Sequence, residues 1–243
     1  MGKEVRFLKD IFIKKVISDS FLLVSKDKKT AILNIINNEF HYILNSRIFK
    51  FLEWKEKLFF KNKNTIQGIE IYTGQFLWEF PLSSLGKWKN SWDEERDFEV
   101  YKLIGIYNNI LWAFIEIGGF IGLDIETGEL KYRIPEYHKA IGKTICKGKD
   151  FFRSDYFLNS EKGKILGMAM DVFIEIDLTQ EFPFVTQYGL QEEFEKYNIK
   201  GKDTSTKYAV QDNLLYFYLS DQLRFGVLDI NTKEIIYISE PIA

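Results

Sequence analysis

One short pattern returns five times along the 243 residues, and it constrains the fold more than any other feature of the chain. Gly68-Ile69-Glu70-Ile71-Tyr72-Thr73-Gly74 and Gly122-Leu123-Asp124-Ile125-Glu126-Thr127-Gly128 are the clearest copies. Val227-Leu228-Asp229-Ile230-Asn231-Thr232-Lys233 and Ile32-Leu33-Asn34-Ile35-Ile36-Asn37-Asn38 follow the same plan, and Glu175-Ile176-Asp177-Leu178-Thr179-Gln180 is a shortened copy. The polar residue at the centre is Asn34, Glu70, Asp124, Asp177 or Asp229, so the intervals are 36, 54, 53 and 52 residues. An aromatic ring follows eight residues later as Tyr42, Trp78, Tyr132 and Tyr237, and the shortened copy reaches Phe184 after seven. Self-similarity at such a period marks a chain built by stacking one supersecondary unit.

The unit can be read from its parts. An alternating apolar run precedes each polar anchor, as expected of a half-buried strand. The anchor is a short acceptor that can bond the N–H groups of the turn it starts. Gly or Asn at the end of the turn tolerates a left-handed backbone. A further strand carrying the aromatic follows, and two more apolar runs lie upstream: Phe12–Ile17 and Phe21–Val24, Phe51–Trp54 and Leu58–Phe60, Tyr101–Tyr107 and Ile110–Ile117, Tyr208–Val210 and Leu214–Leu219. In the fourth unit the first two strands are not placed. Four-stranded antiparallel units repeating in this way predict an all-β fold, a β-propeller of about five blades, over approximate ranges 5–48, 49–82, 98–134, 150–187 and 207–240 in one domain. Six blades are possible if Val5–Leu8 and the long inserts add a sheet; a β-sandwich or irregular β domain is the alternative.

The hydrophobic-x-Asp-x-x-Thr-Gly-x-x-x-Trp/Tyr pattern, best in Ile69–Trp78 and Leu123–Tyr132, resembles the repeat of quinoprotein-like propellers. The resemblance implies the fold, and fold does not settle function. Quinone-dependent dehydrogenases of this type are secreted, longer and usually eight-bladed, and hold their quinone with calcium near a disulfide. This chain has a single cysteine, Cys146, and room for about five blades. No cofactor is therefore expected.

Information specific to this chain lies where it departs from its own repeat. Three connections between blades are long: 82–97, 135–150 and 186–206. Antiparallel order sends them to the same face as the basic turns with Lys26, Lys28, Lys29, Lys61 and Lys63. The first insert carries Trp88 and Trp92 beside Asp93, Glu94, Glu95 and Asp97. Exposed Trp is favoured at interface hot spots, although both rings can also fold back over the blade edges. In the third insert Leu190, Phe194 and Tyr197 share one helical face, which predicts a short helix with Glu192, Glu193 and Glu195 outward. The two carboxylate groups read either as an acidic patch that steers a basic partner or as a solvated charge run. The second insert is basic, with Tyr137, His138, Lys139, Lys143, Lys147 and Lys149, a composition that also suits a phosphate-bearing ligand.

Groups for catalysis are sparse. The two histidines, His41 and His138, stand apart, and no His/Cys cluster has metal-ligand spacing. There is no phosphate-binding glycine loop and no nucleophile elbow. Cys146 lies among lysines but without a positioned base. The inner-strand runs offer mainly Lys14, Lys15, Glu53 and Lys102. The formal charge of −2 argues against a nucleic-acid backbone as main partner. Charges throughout the first ten residues and the lack of a long apolar run predict a soluble, cytoplasmic protein that meets no membrane. The expectation is a non-enzymatic protein-binding propeller, monomeric alone. Its partner residues are Trp88, Trp92, Asp93, Glu94, Glu95, Asp97, Glu192, Glu193 and Glu195; no catalytic or metal-binding residue is expected. One specific form is an immunity-type inhibitor of a basic toxin domain; the alternative is a small-ligand sensor or enzyme using the central channel.

Overall fold

Each anchor of the sequence pattern closes the third strand of a four-stranded antiparallel sheet in the computed structural model, which describes residues 11–44, 48–89, 92–116, 119–134, 155–169, 171–199 and 209–242. The first sheet holds β1 (Ile11–Val16), β2 (Phe21–Lys26), β3 (Lys29–Asn34) and β4 (Glu39–Leu44). The second holds β5 (Phe51–Trp54), β6 (Lys57–Asn62), β7 (Thr65–Glu70) and β8 (Phe76–Pro81). A two-stranded ribbon follows, β9 (Lys87–Lys89) with β10 (Glu95–Asp97). The third sheet comprises β11 (Glu99–Tyr107), β12 (Ile110–Glu116), β13 (Gly119–Asp124) and β14 (Leu130–Ile134). The fourth comprises β15 (Phe157–Asn159), β16 (Lys164–Ala169), β17 (Val172–Asp177) and β18 (Phe184–Gly189). The short helix α1 (Gln191–Glu195) precedes the fifth sheet, β19 (Ala209–Gln211), β20 (Leu214–Leu219), β21 (Arg224–Asp229) and β22 (Ile235–Ile238). Every four-stranded sheet pairs its strands in chain order. In each sheet the turn between second and third strands and the exit of the fourth strand therefore share one end, and the pattern turn lies at the other.

The turn chemistry follows the reading of the sequence. Asn34 Oδ1 accepts from the N–H of Ile36 at 2.9 Å. Asp229 Oδ1 accepts from Asn231 and Thr232 at 2.7 and 3.2 Å. Asp177 Oδ1 accepts from both the N–H and the hydroxyl of Thr179, at 2.9 and 2.6 Å, and these bonds hold its carboxyl below the usual carboxylate pKa. Four positions after the anchor the backbone is left-handed at Asn38, Gly74, Gly128 and Lys233. Beyond that residue the fourth strand gains one extra residue, a bulge that shifts its register against the third strand.

The fourth copy differs. Strands β17 and β18 pair without a shift, from Val172↔Gly189 to Asp177↔Phe184. The residue missing from its turn is the bulge. Phe184 is therefore not equivalent to Trp78, Tyr132 and Tyr237: those rings lie opposite the residue two before the anchor, a place taken in the fourth sheet by Thr186, opposite Glu175. Nor do all the recurrent rings fill space between sheets. Trp78 is buried and Tyr132 half-buried, but Phe184 and Tyr237 are both 53% exposed. The third long connection is also shorter than expected, because Thr186–Gly189 belongs to β18. The second, 135–150, with His138 and Cys146, lies outside the described residues, as does Val5–Leu8.

The chain forms two compact units, one of Met1–Gly86 with Ile125–Gly128, the other of Lys87–Asp124 with Glu129–Ala243. In the first unit, Leu23 and Ile32 pack with Leu58, Phe60 and Ile69 to join the first two sheets. Here Trp78 stacks on Phe59, with centroids 5.5 Å apart, and donates its indole N–H to Ile125 O at 2.8 Å. In the second unit, Trp112, Phe114 and Phe120 meet Tyr156, Ile165 and Ile174 between the third and fourth sheets. Leu166, Met168 and Phe173 meet Leu215, Phe217 and Leu228 between the fourth and fifth. Each cluster is the apolar face of one sheet against the next, the interaction that stabilises stacked repeats.

Candidate protein-binding site

Within the 82–97 insert, Lys87–Lys89 pairs with Glu95–Asp97. Ribbon register sets Glu95 opposite Lys89, Arg96 opposite Trp88 and Asp97 opposite Lys87. Phe98, buried at the end of the ribbon, roots it in the third sheet beneath Arg133, whose guanidinium lies 5.8 Å from the Phe98 ring centroid. Trp88 is half-buried and donates its indole N–H to Asp97 O at 3.2 Å. Its ring thus closes the ribbon. Trp92 at the tip is 80% exposed.

The carboxylates do not form an acidic patch. Lys87 pairs with Glu95 at 3.4 Å, Lys89 with Asp93 at 3.0 Å and Arg96 with Glu94 at 2.5 Å. Antiparallel pairing brings the ribbon's own cations beside these acids, and this cancels most of their field. The surface is a band of alternating charge around Trp92.

At the third insert the predicted helix is present. Leu190 and Phe194 are buried with Ile199 against the fifth sheet, and Tyr197 donates its hydroxyl to Ile235 O at 2.9 Å. Glu192 and Glu195 are exposed. Glu193 instead turns inward: it pairs with Lys196 at 2.5 Å and accepts from the N–H of Ile235 at 3.1 Å. The Lys196 ammonium, then the backbone N–H, holds the Glu193 carboxyl below its usual pKa. This residue is a clip between α1 and β22, with little of its charge left for a partner. The remaining expected residues divide between two separate local structures, ribbon and helix.

A polar cavity that the sequence did not reveal lies along the first strands of the second unit. It measures about 630 Å³ and is lined by Lys102, Asp155, Asn159, Ser160, Glu161 and Asp212, with Phe157 and Val210. Lys102 reaches Asp155 at 3.7 Å. The signal was hidden because β15 has three residues and no alternation long enough to recognise. In the first unit two inner-strand groups pair with each other, Lys15 with Glu53 at 2.9 Å, and Lys14 donates to Ile48 O at 2.6 Å. Among the described residues no group of three His, Cys, Asp or Glu side chains is placed to hold a metal ion.

No family model and no curated protein sequence matches the chain. Solved structures do resemble it. BamB from Moraxella catarrhalis superposes with a TM-score of 0.55 at 12% identity, over 90% of this chain and 58% of that one. The quinohemoprotein alcohol dehydrogenase ADHIIG from Pseudomonas putida HK5 gives 0.60 at 11% identity, over 94% and 41%. The dihydro-heme d1 dehydrogenase NirN, in complex with DHE, gives 0.58 at 9% identity, over 89% and 42%. The chain spans between 41% and 58% of the length of these proteins. At such identities the likeness is one of fold: the chain folds as a β-propeller of the kind seen in these structures.

Proposed function

We propose that this chain is a non-enzymatic protein-binding propeller whose contact surface centres on the 82–97 insert. The observation that carries this reading is Trp92, 80% exposed at the tip of a ribbon that the repeat does not require. A large exposed ring beside a paired ribbon buries much apolar surface when a partner covers it. The surrounding Lys89, Asp93, Glu94 and Arg96 supply a polar rim of both signs. The narrower form of the reading is a cytoplasmic, monomeric, immunity-type inhibitor that covers the active site of a basic toxin domain. It draws on the exposed carboxylates of Glu192 and Glu195, with the ribbon acids Asp93, Glu95 and Asp97 exchanging partners on contact. The test is affinity capture from the source cells with wild-type protein and Trp92→Ala. A partner retained by the first and lost by the second, with the melting temperature unchanged, is the expected result. Capture of the same proteins by both sinks the reading.

The polar cavity favours a second reading, a small-ligand site in the channel of the propeller. Three carboxylates against one ammonium in its lining select a cation. Putrescine that raises the melting temperature of wild-type protein but not of Asp212→Asn would support it; equal response of the two would not.

A further inference from the structure

The contact between the second sheet and the next pattern turn is built from three residues. Gly68 leaves room for Trp78 opposite it, and Trp78 covers Gly128 at the left-handed corner of the following turn. At the equivalent places of the fourth sheet and the turn after it stand Glu175, Thr186 and Lys233. An apolar plug has been exchanged for a carboxylate, a small hydroxyl side chain and an ammonium. A cavity of about 470 Å³ lies there, lined by Lys162, Lys164, Glu175, Tyr188, Asn231, Thr232 and Lys233 among others.

Its charges do not balance. Glu175 is well shielded and bridges two ammoniums, Lys164 at 2.7 Å and Lys233 at 3.3 Å. Lys233 also donates to Ile230 O and sits 5.0 Å from the ring centroids of both Phe173 and Tyr188. Lys162 is held over the opening by the side-chain oxygens of Asn213 and Asn231, at 3.0 and 2.9 Å. Three ammoniums thus meet one carboxylate in the lining. The neighbouring Asp177 and Asp229 each direct a carboxylate oxygen into their own turns, onto Thr179 and onto Asn231 and Thr232, and Asp177 adds its field to that of Glu175 at the Lys164 ammonium. Each ammonium carries three donors, of which Lys164 spends one on Glu175 and Lys162 spends two on asparagine.

We infer that this cavity between the fourth and fifth sheets is a binding site for a small phosphate-bearing molecule, with Lys162 and Lys164 donating to the phosphoryl oxygens and Lys233, fixed by Glu175, setting the potential behind them. A phosphate offsets the excess of ammonium charge in the lining, and clusters of lysine bind phosphate as point charges. The Thr232 hydroxyl stands at the same wall. This site is separate from the ribbon and independent of the protein-binding reading.

The probes are inorganic phosphate and phenyl phosphate at pH 8, titrated calorimetrically against sodium chloride of equal ionic strength. Saturable binding is expected for the wild type, weakened roughly tenfold in Lys162→Gln and in Lys164→Gln, the loss of one charge-assisted bond, and unchanged in Lys131→Gln. Tighter binding of phenyl phosphate identifies an organic phosphate as the ligand; equal binding identifies the free anion. Amide shifts of the wild type on titration should centre on Lys162–Lys164 and Asn231–Lys233, a readout that needs no variant. No binding above the chloride control, shifts centred elsewhere, or wild-type affinity in both lysine variants would overturn the inference.

Discussion

Gly128 and Trp78 fix each other. The glycine has φ +73°, and a Cβ placed on it would meet the indole ring at 2.6 Å. Gly128→Ala combines a strained left-handed alanine with a steric clash, and should cost about 2–4 kcal/mol in urea unfolding. The companion variant Gly128→Ala/Trp78→Leu removes the clash, so its loss should be smaller than the sum of the two single changes. A strictly additive result would mean that the ring does not hold the turn. Glu193 offers a second residue-scale test. Its carboxyl titrates below the ordinary 4.5, so the charged form is favoured by folding. The stability it confers is complete above the ordinary value and is lost as pH falls through the lowered one. Glu193→Gln should therefore flatten the decline of stability as pH falls below 4.5, relative to wild type. An acid limb of unchanged steepness would show that the clip to Lys196 and Ile235 contributes nothing.

At the scale of elements, α1 is too short to persist by its own hydrogen bonds. It stands because Leu190, Phe194 and Ile199 are buried on the fifth sheet. Phe194→Ala should lower stability by about 3–5 kcal/mol, and Glu192→Ala on the exposed side by less than about 0.5 kcal/mol; thermal melts separate the two, and comparable losses would contradict this account of the helix. That helix was legible because an apolar face at i, i+4 and i+7 needs only local geometry. The pattern turns were legible for the same reason: an acceptor side chain and a left-handed corner act within a few residues. Sheet register was not. The seven-residue spacing to Phe184 showed that the fourth turn is short, but only the pairing shows that the lost residue is the bulge and that Thr186, not Phe184, occupies the place of Trp78. How the acids of the first insert are engaged was hidden for a related reason. Lys87, Lys89 and Arg96 stand in the same sequence, but their approach to Glu95, Asp93 and Glu94 depends on the ribbon fold.

For the whole molecule, the buried clusters join the first sheet to the second, the third to the fourth and the fourth to the fifth, so local opening need not spread. The sheets are not equal in this respect. In the third, Leu111, Phe114, Ile115, Ile121 and Leu123 on β12 and β13 are fully buried, and those strands are paired on both sides. In the fifth, β19 is a three-residue edge strand exposed throughout. The ribbon of β9 and β10 has only its own partner. Amide hydrogen exchange read by mass spectrometry should rank them accordingly. Exchange at β12 and β13 should be slowest, near the rate set by global unfolding. At β19 and in the ribbon it should be faster by several orders of magnitude, because opening there exposes little apolar surface. Addition of phosphate should slow exchange in the turns at Lys162–Lys164 and Asn231–Lys233 and leave the ribbon unchanged. A captured protein partner should do the reverse. Uniform exchange across all five sheets would instead require one cooperative unit, and the division of the chain into two compact bodies would then carry no energetic meaning.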